Sequence, residues 1–190
     1  MHYGLTKKLS HKYGFDDKVF LGAIMPDMLK ISKLQTKYES HYMDEEGLPD
    51  IEKYIDENMR NGYSYEKFGY FLHLVQDKIW YKRMAEIAKN WRDSKDYIYS
   101  DMNICDRFVL KSLDMDRDDF LKAKKKIYDM AEDDTVKECI RDSFIIREIE
   151  NKDITFISKD IFDEYMENAY KECEKYIDNL GRLCFKKVII

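Results

Sequence analysis

The stretch that decides the fold is Tyr70-Phe-Leu-His-Leu-Val-Gln-Asp-Lys-Ile-Trp80, within a longer run from Tyr65 to Trp91. Apolar residues recur along this run at helical spacing, which predicts a helix with a broad buried face at the centre of the fold. His73 and Asp77 lie four residues apart and therefore project from one face of that helix. An imidazole and a carboxylate held together suit a divalent metal ion, whereas the simpler interpretation is a hydrogen bond within the helix.

The rest of the chain has the composition of a helical protein. Of 190 residues, 44% are hydrophobic and 37% charged, while 7 are Gly and 2 are Pro, which leaves little material for tight turns. Periodic apolar residues predict further helices over 2–13, from 16 onward, 49–60, 95–113, 117–131, 135–149 and 158–183. We expect a break or kink near Met25 because of Pro26, a polar loop over 30–48, and at most a short extended piece in 151–157. Together these features predict one all-α domain, a multi-helix bundle over residues 1–190.

Charge and cysteine content argue against several classes of protein. The 33 basic and 38 acidic side chains are scattered, the net charge is -5, and no basic block favours nucleic-acid binding. The 4 cysteines form no Cys-x-x-Cys pair and the N-terminus lacks the apolar core of a signal peptide, so we expect reduced thiols and a cytoplasmic location. No stretch approaches the roughly 20 apolar residues of a membrane span, so no transmembrane segment is predicted.

Three further motifs carry the residue types of a metal site. Met1-His-Tyr-Gly4 and Ser40-His-Tyr42 each contain a histidine, and Phe20-Leu-Gly-Ala-Ile-Met-Pro-Asp27 ends in an aspartate. Together with Leu-His-x-x-x-Asp at 72–77, they occur in an order that resembles the zinc-dependent phospholipase C family, a group of helical metal hydrolases that includes single-strand nucleases. The resemblance covers roughly residues 2–81 and implies a metal-hydrolase-like bundle of the phospholipase C and nuclease type.

The resemblance also implies a set of metal ligands drawn from these motifs. For one ion the implied ligands are Asp27, His41, His73 and Asp77, and for a second they are His2 and Asp77. Asp77 would bridge the two ions, and the implied catalytic residues are Asp77 and Asp27. A bridging carboxylate holds two cations where they jointly activate water and stabilise an attacked phosphoryl group. Zinc is the expected metal, as one or two ions, with iron and manganese as alternatives.

The chain departs from that family after its fourth motif. Secreted phospholipases of this kind hold three zinc ions, and the third needs further histidines and a glutamate, but no histidine follows His73. We therefore expect a mono- or dinuclear hydrolase of a small phosphoester and do not extend the prediction to phospholipids. An HD-type phosphohydrolase is disfavoured because the chain has no His-Asp dipeptide. A helical interaction or regulatory module, with a structural metal or none, stays open as the alternative.

Several of these polar residues also have simpler interpretations. His11 lies near a helix end and is expected at the surface, and His2 could belong to a frayed terminus. Asp27 could only cap the segment after Pro26. Asp101 could contact the mouth of the site, although a role at the start of a helix is the simpler expectation.

Overall fold

The computed structural model describes residues 1–60, 62–87, 95–143 and 157–184, and the side chains of all of these except 95–100, 102–104 and 180–184. The described helices are α1 (His2–Tyr13), α2 (Lys18–Ile31), α3 (Lys37–Ser40), α4 (Ile51–Tyr54), α5 (Tyr65–Ile87), α6 (Lys95–Ser112), α7 (Arg117–Met130), α8 (Asp134–Ser143) and α9 (Lys159–Cys184). These residues contain no β-strand, which confirms the prediction of an all-α protein. The predictions for 88–91, 144–149 and 151–156 lie outside the described residues.

Helix α5 lies at the centre of the fold, as its apolar pattern predicts. It packs against α2, α9, α1 and α4. Its buried face includes Phe68, Phe71 and Leu72, which are all inaccessible to solvent. Burial of such side chains is the main driving force of folding, at roughly 2 kcal/mol for each large apolar group. The same helix also buries His73 and Asp77, so the polar pair lies inside the protein and not on a solvated face.

Two glycines bring α2 and α5 into direct backbone contact. A Cβ atom added to Gly22 would lie 1.9 Å from the carbonyl oxygen of Glu66. One added to Gly69 would lie 2.0 Å from the carbonyl oxygen of Val19. No side chain fits at either position without separating the two helices, because protein interiors are close-packed. This crossing therefore fixes how far the polar side chains of α2 stand from those of α5.

Of the break or kink expected near Met25, the break does not occur, because α2 continues past Pro26. The helix runs through Pro26 to Ile31, and Pro26 is itself buried. A proline inside a helix costs about 3 kcal/mol, and the close packing of α2 on α5 offsets this cost. Asp27 consequently lies on a continuous helix and not at a helix end.

Residues 32–50 form a mainly irregular segment that connects α2 to α4. This segment corresponds to the polar loop predicted over 30–48. We call it the connecting segment, and its only regular element is the single turn α3. A capping box holds this turn: the Thr36 hydroxyl accepts the N–H of Glu39, and the Glu39 carboxylate accepts the N–H of Thr36 at 2.8 Å. Tyr42 has a φ of 51°, in the left-handed region that bulky side chains rarely adopt.

The next helix, α4, begins later than predicted. The Asp50 carboxylate accepts the N–H of Lys53, so Asp50 is the N-cap and Pro49 precedes it instead of opening the helix. The chain then continues as a π-helical turn over Ile55–Met59. The predicted helix 49–60 is thus one short α-helix followed by a wider turn.

The later helices surround the α2 and α5 pair. Helices α7 and α8 pack on each other and on α2, while α9 packs on α5 and α1. Cys105, Cys139 and Cys173 are free thiols, as expected. No helix in the described part of the chain combines the length and apolar character needed to cross a membrane.

Candidate metal centre

The structure brings together the five residues that the sequence predicts as metal ligands: His2, Asp27, His41, His73 and Asp77. His73 and Asp77 project from α5, and Asp27 projects from α2. His2 is the first residue of α1, and His41 directly follows α3. Four parts of the chain that are distant in sequence therefore meet in one cluster.

Asp77 stands in the middle of this cluster. Its Oδ1 lies 3.3 Å from Nε2 of His2. Its Oδ2 lies 3.5 Å from Nε2 of His41 and 3.7 Å from Nε2 of His73. Asp27 adds a second carboxylate, with Oδ1 3.5 Å from Nε2 of His41. The two oxygens of Asp77 thus face different histidines, which is the arrangement that a bridging carboxylate needs.

The ligand atoms fall into two groups that share His73. One group contains His2, His73 and Asp77, and the other contains Asp27, His41 and His73. Within each group the ligand atoms lie within 4.8 Å of one another. The Nε2 atom of one imidazole has a single lone pair, so His73 can coordinate only one ion at a time. The cluster therefore has the ligands for one complete centre and a smaller second one.

The separations between ligand atoms match metal coordination better than hydrogen bonding. Protein N–H···O bonds are about 2.9–3.0 Å long. Two ligands at zinc bonds of about 2.0–2.1 Å in tetrahedral geometry are about 3.3–3.4 Å apart. The four nitrogen-to-oxygen distances in the cluster range from 3.3 to 3.7 Å. The distance between His2 and Asp77 equals the tetrahedral spacing, and the other three are slightly wider, so all four are longer than ordinary hydrogen bonds and close to the spacing of metal ligands.

His73 is the most constrained of the histidines. Its side chain is fully buried, and its Nδ1–H donates to the carbonyl oxygen of Ala23 at 2.8 Å. This bond places the proton on Nδ1 and leaves the lone pair on Nε2. That Nε2 atom is buried and has no hydrogen-bond partner among the described residues. A buried polar atom without a partner is costly, so its presence points to a ligand.

His2 and His41 are oriented in the same way. Nδ1 of His2 lies 3.0 Å from Oε1 of Gln76, and Nδ1 of His41 lies 2.8 Å from the hydroxyl of Ser40. In metal sites a second partner of this kind fixes the plane of the imidazole and decides which nitrogen faces the metal. Each histidine of the cluster therefore directs Nε2 toward the carboxylates.

Tyr81 supports Asp77 and is missing from the predicted set. Its hydroxyl donates a hydrogen bond of 2.9 Å to Oδ2 of Asp77. Tyr81 follows Asp77 by four residues, so the spacing that identifies His73 and Asp77 continues for one more turn and could have found it. The Ala23 carbonyl has no such signal, because any residue at position 23 would supply the same oxygen.

Burial and mutual charge shift the pKa values in the cluster. The protein atoms around the half-exposed Asp27 oppose its ionisation, but the contact with His41 and the charges of the other histidines outweigh this and hold its pKa below the usual range. Burial acts likewise on Asp77, and the nearby His73 and His2 lower its pKa. Burial and the charge of His2 lower the pKa of His73 to about 3. Burial opposes protonation of His2, yet its contact with Asp77 raises its pKa. Ionised carboxylates and a neutral His73 are the states that bind a cation.

Asp27 gives the cluster its opening to solvent. Its side chain is 40% exposed, against 13% for His2 and 8% for Asp77. A structural metal site is closed by protein ligands on every side, whereas a catalytic site keeps one position open for water or substrate. Asp27 is the member of the cluster that solvent reaches most easily.

His11 and Asp101 lie outside the cluster. His11 is exposed on α1, as expected. Asp101 is buried and accepts the N–H of Ile157 at 2.9 Å, just before α9 begins. The α-amino group of Met1 pairs with Asp106 at 2.8 Å, which anchors the start of α1 beside His2.

Comparisons with known proteins add no relative to these observations. No protein-family model, no curated protein and no solved structure matches this chain. The resemblance to the zinc-dependent phospholipase C family rests on its four motifs.

Proposed function

We propose that this protein is a divalent-metal-dependent hydrolase that acts on a phosphoester. The observation that carries the proposal is the cluster itself, in which three Nε2 atoms and two carboxylates stand at coordination spacing. The buried, unpartnered Nε2 of His73 adds to it, because a metal ion is the partner that suits this atom. Zinc is the first choice, with iron and manganese as alternatives. From the order of the four motifs, we also propose a fold of the phospholipase C and nuclease type.

Each residue of the cluster has a place in this proposal. One ion would be held by Asp27, His41, His73 and Oδ2 of Asp77, and a second by His2 and Oδ1 of Asp77. A bound ion supplies a Lewis acid that lowers the pKa of water and polarises a phosphoryl oxygen. Gln76, Ser40 and the Ala23 carbonyl orient the histidines, and Tyr81 orients Asp77.

Asp27 is the ligand that an incoming water or substrate meets first. Its pKa lies below the usual range, so the carboxylate is ionised at neutral pH and is a weak proton acceptor. We therefore assign Asp27 to metal binding and to accepting a hydrogen bond from the attacking water. Asp77 has less contact with solvent, and its carboxylate would hold the metal in position.

The first test measures the metal content of the protein prepared without a histidine tag, by elemental mass spectrometry. The wild type should carry about one or two equivalents of metal, and His73→Ala should lose them. His11→Ala is the matched control, because His11 is exposed and outside the cluster. Wild-type protein that stays metal-free after incubation with zinc, iron and manganese would contradict the proposal.

The second test measures turnover. Metal-loaded protein should hydrolyse a chromogenic phosphomonoester or phosphodiester, a chelator should abolish the activity, and added zinc should restore it. If chelation changes stability while no phosphoester is hydrolysed, a non-catalytic helical module with a structural metal becomes the better account.

A further inference from the structure

A cleft between α1 and α7 lies apart from the candidate metal centre. Both helices pack on α2, and between them they leave a cavity of about 280 Å³. Ligand-binding pockets of proteins begin at about 300 Å³, so this volume suits a small molecule. None of the described residues that line the cleft belongs to the cluster of histidines and aspartates. A ligand in the cleft therefore binds away from the metal ligands.

Apolar side chains form much of the lining of this cleft. Tyr3 and Phe20 stand with their ring centres 5.2 Å apart, and Ala123, Ile127 and Met130 line the cleft from α7. The three residues of α7 follow one another by three or four positions and therefore share one face of the helix. Such a surface favours the hydrocarbon part of a ligand, because binding removes apolar surface from water.

The lining also carries an excess of positive charge. Lys7 and His11 lie one turn apart on α1, and Lys126 lines the cleft from α7. Among the described lining residues the acidic one is Asp17, which forms an ion pair with Lys126. Lys7 is half-buried, and its ammonium has no ion pair or hydrogen bond within the part of the chain that the structure describes. This ammonium is the charge that the cleft offers to a ligand.

The carboxylates near the cleft are themselves paired. Burial, and then the charges of Asp17 and Asp119, raise the pKa of Tyr3 to about 12, so both carboxylates act on this side of the cleft. Each of them pairs with a lysine of α7: Asp17 with Lys126, and Asp119 with Lys122 at 3.6 Å. These pairs offset the two negative charges, and the excess of positive charge in the lining persists.

We propose that this cleft binds a small amphipathic anion, with Lys7 paired to its carboxylate or phosphate group and with its apolar part against Phe20 and Ile127. A lysine ammonium is a compact point charge with three donors, which suits carboxylate and phosphate oxygens alike. The volume of about 280 Å³ leaves room for a single ring or a short hydrocarbon chain beside the anionic group. This site is additional to the proposed hydrolase centre and does not depend on it.

An NMR titration of the ¹⁵N-labelled full chain tests the proposal. The anionic probes are benzoate and phenyl phosphate, and the neutral probe is benzyl alcohol, which has the same ring. Either anion should shift the amide signals of Lys7 and Ile127. Benzyl alcohol should bind at least about tenfold more weakly, because it lacks the charge-assisted hydrogen bond to Lys7. The anion that binds more tightly identifies the anionic group that the cleft prefers.

Two variants separate the effect of charge from that of shape. Lys7→Met keeps the hydrocarbon part of the side chain and should weaken binding of both anions about tenfold while leaving benzyl alcohol unchanged. Ala123→Leu keeps the charge, fills the cleft and should weaken binding of all three probes. Lys8→Met is the matched control and should bind like the wild type. Lys8 is the next residue of α1, is exposed, and lies over the ring of Tyr170, outside the lining of the cleft.

Several results would overturn the proposal. One is the absence of amide shifts at the cleft with both anions, and another is benzyl alcohol binding as tightly as they do. Shifts confined to residues around His73 would place the anions at the metal centre instead. An equal loss of affinity in Lys8→Met would reduce the effect of Lys7 to one of overall charge. None of these results concerns metal content, so the hydrolase proposal is tested separately.

Discussion

Two regions of the molecule supply the ligands of the cluster by different means. At the crossing of α2 and α5, Gly22 and Gly69 bring two helices into backbone contact, and the ligands project from regular structure. In the connecting segment, His41 stands on irregular backbone that individual hydrogen bonds hold in place. The difference indicates that the crossing of α2 and α5, which is part of the core, fixes the distance between Asp27 and the two ligands on α5. The connecting segment then brings His41 to these ligands.

The connecting segment shows the cost of this adjustment. Tyr42, next to His41, has a φ of 51°, and such left-handed backbone costs on the order of 1–3 kcal/mol. Two side chains hold this part of the segment: the Tyr70 hydroxyl donates to the carbonyl of Ser40, and the Asn58 amide donates to the Tyr42 hydroxyl at 2.8 Å. Strain stored beside a ligand persists only where the surroundings enforce it, as they do here.

The largest expected effect comes from adding a side-chain atom where α2 and α5 cross. Gly69→Ala places a Cβ atom 2.0 Å from the carbonyl oxygen of Val19, and backbone cannot move aside as a side chain can. We expect the free energy of unfolding to fall by more than about 3 kcal/mol, measured by urea denaturation. Gly14→Ala is the control: Gly14 has a φ of 67° and no atom within 4 Å of an added Cβ, so only about 1 kcal/mol is lost there. Equal losses in the two variants would mean that the crossing is not tightly packed.

The next largest effect is on zinc affinity, and it compares His73, a ligand on α5, with His41, the ligand on the connecting segment. His73 projects from the regular helix α5 and its side chain is fully buried, whereas His41 stands on the irregular backbone of the connecting segment. Removal of second partners of metal ligands costs about 10–100-fold in affinity, so loss of His73 itself should exceed about 100-fold, and His41→Ala should cost less. Competition with a chromogenic chelator measures both. A larger loss in His41→Ala would mean that the connecting segment contributes more to zinc affinity than the crossing does.

The parts of the centre that the sequence predicts are those with local spacing. His73 and Asp77 are recognisable because four residues make one helical turn. His41 and Asp27 depend instead on the order of motifs, since nothing in their own neighbourhood predicts that they meet. The distance between them is decided by tertiary packing, and this is the level at which single-sequence patterns carry least information.

The absence of a helix break at Pro26 has the same origin. Local chemistry favours a break there, because proline lacks an N–H and crowds the preceding turn. The helix nevertheless continues, because α2 packs closely on α5 at Gly22 and Gly69. The role of these two glycines cannot be recognised before the two helices are placed together. All-α architecture, in contrast, follows from periodicity and from the scarcity of glycine and proline along the whole chain.

A smaller effect tests whether Tyr81 strengthens metal binding by Asp77, which lies on the same helix. Tyr81→Phe removes the hydroxyl that donates to Asp77 and keeps the ring. We expect zinc affinity to fall about tenfold, as for other partners of ligating carboxylates. Tyr165→Phe is the matched control, because in the described part of the chain the buried Tyr165 hydroxyl has no hydrogen-bond partner. Its removal should leave zinc affinity unchanged and raise stability slightly. Unaltered zinc affinity in Tyr81→Phe would show that packing alone orients Asp77.

The smallest effect lies in the connecting segment, at the capping box of α3. Thr36→Ala removes the hydroxyl that accepts the N–H of Glu39, which should lower the free energy of unfolding by about 1 kcal/mol. Thr36→Ser keeps a hydroxyl and serves as the control. Because Tyr70 holds the Ser40 carbonyl independently of this cap, zinc affinity should change by less than about threefold, well below 1.4 kcal/mol. A loss as large as that of His41→Ala would mean that one cap fixes the whole segment, and that the ligand on irregular backbone depends on a single local bond.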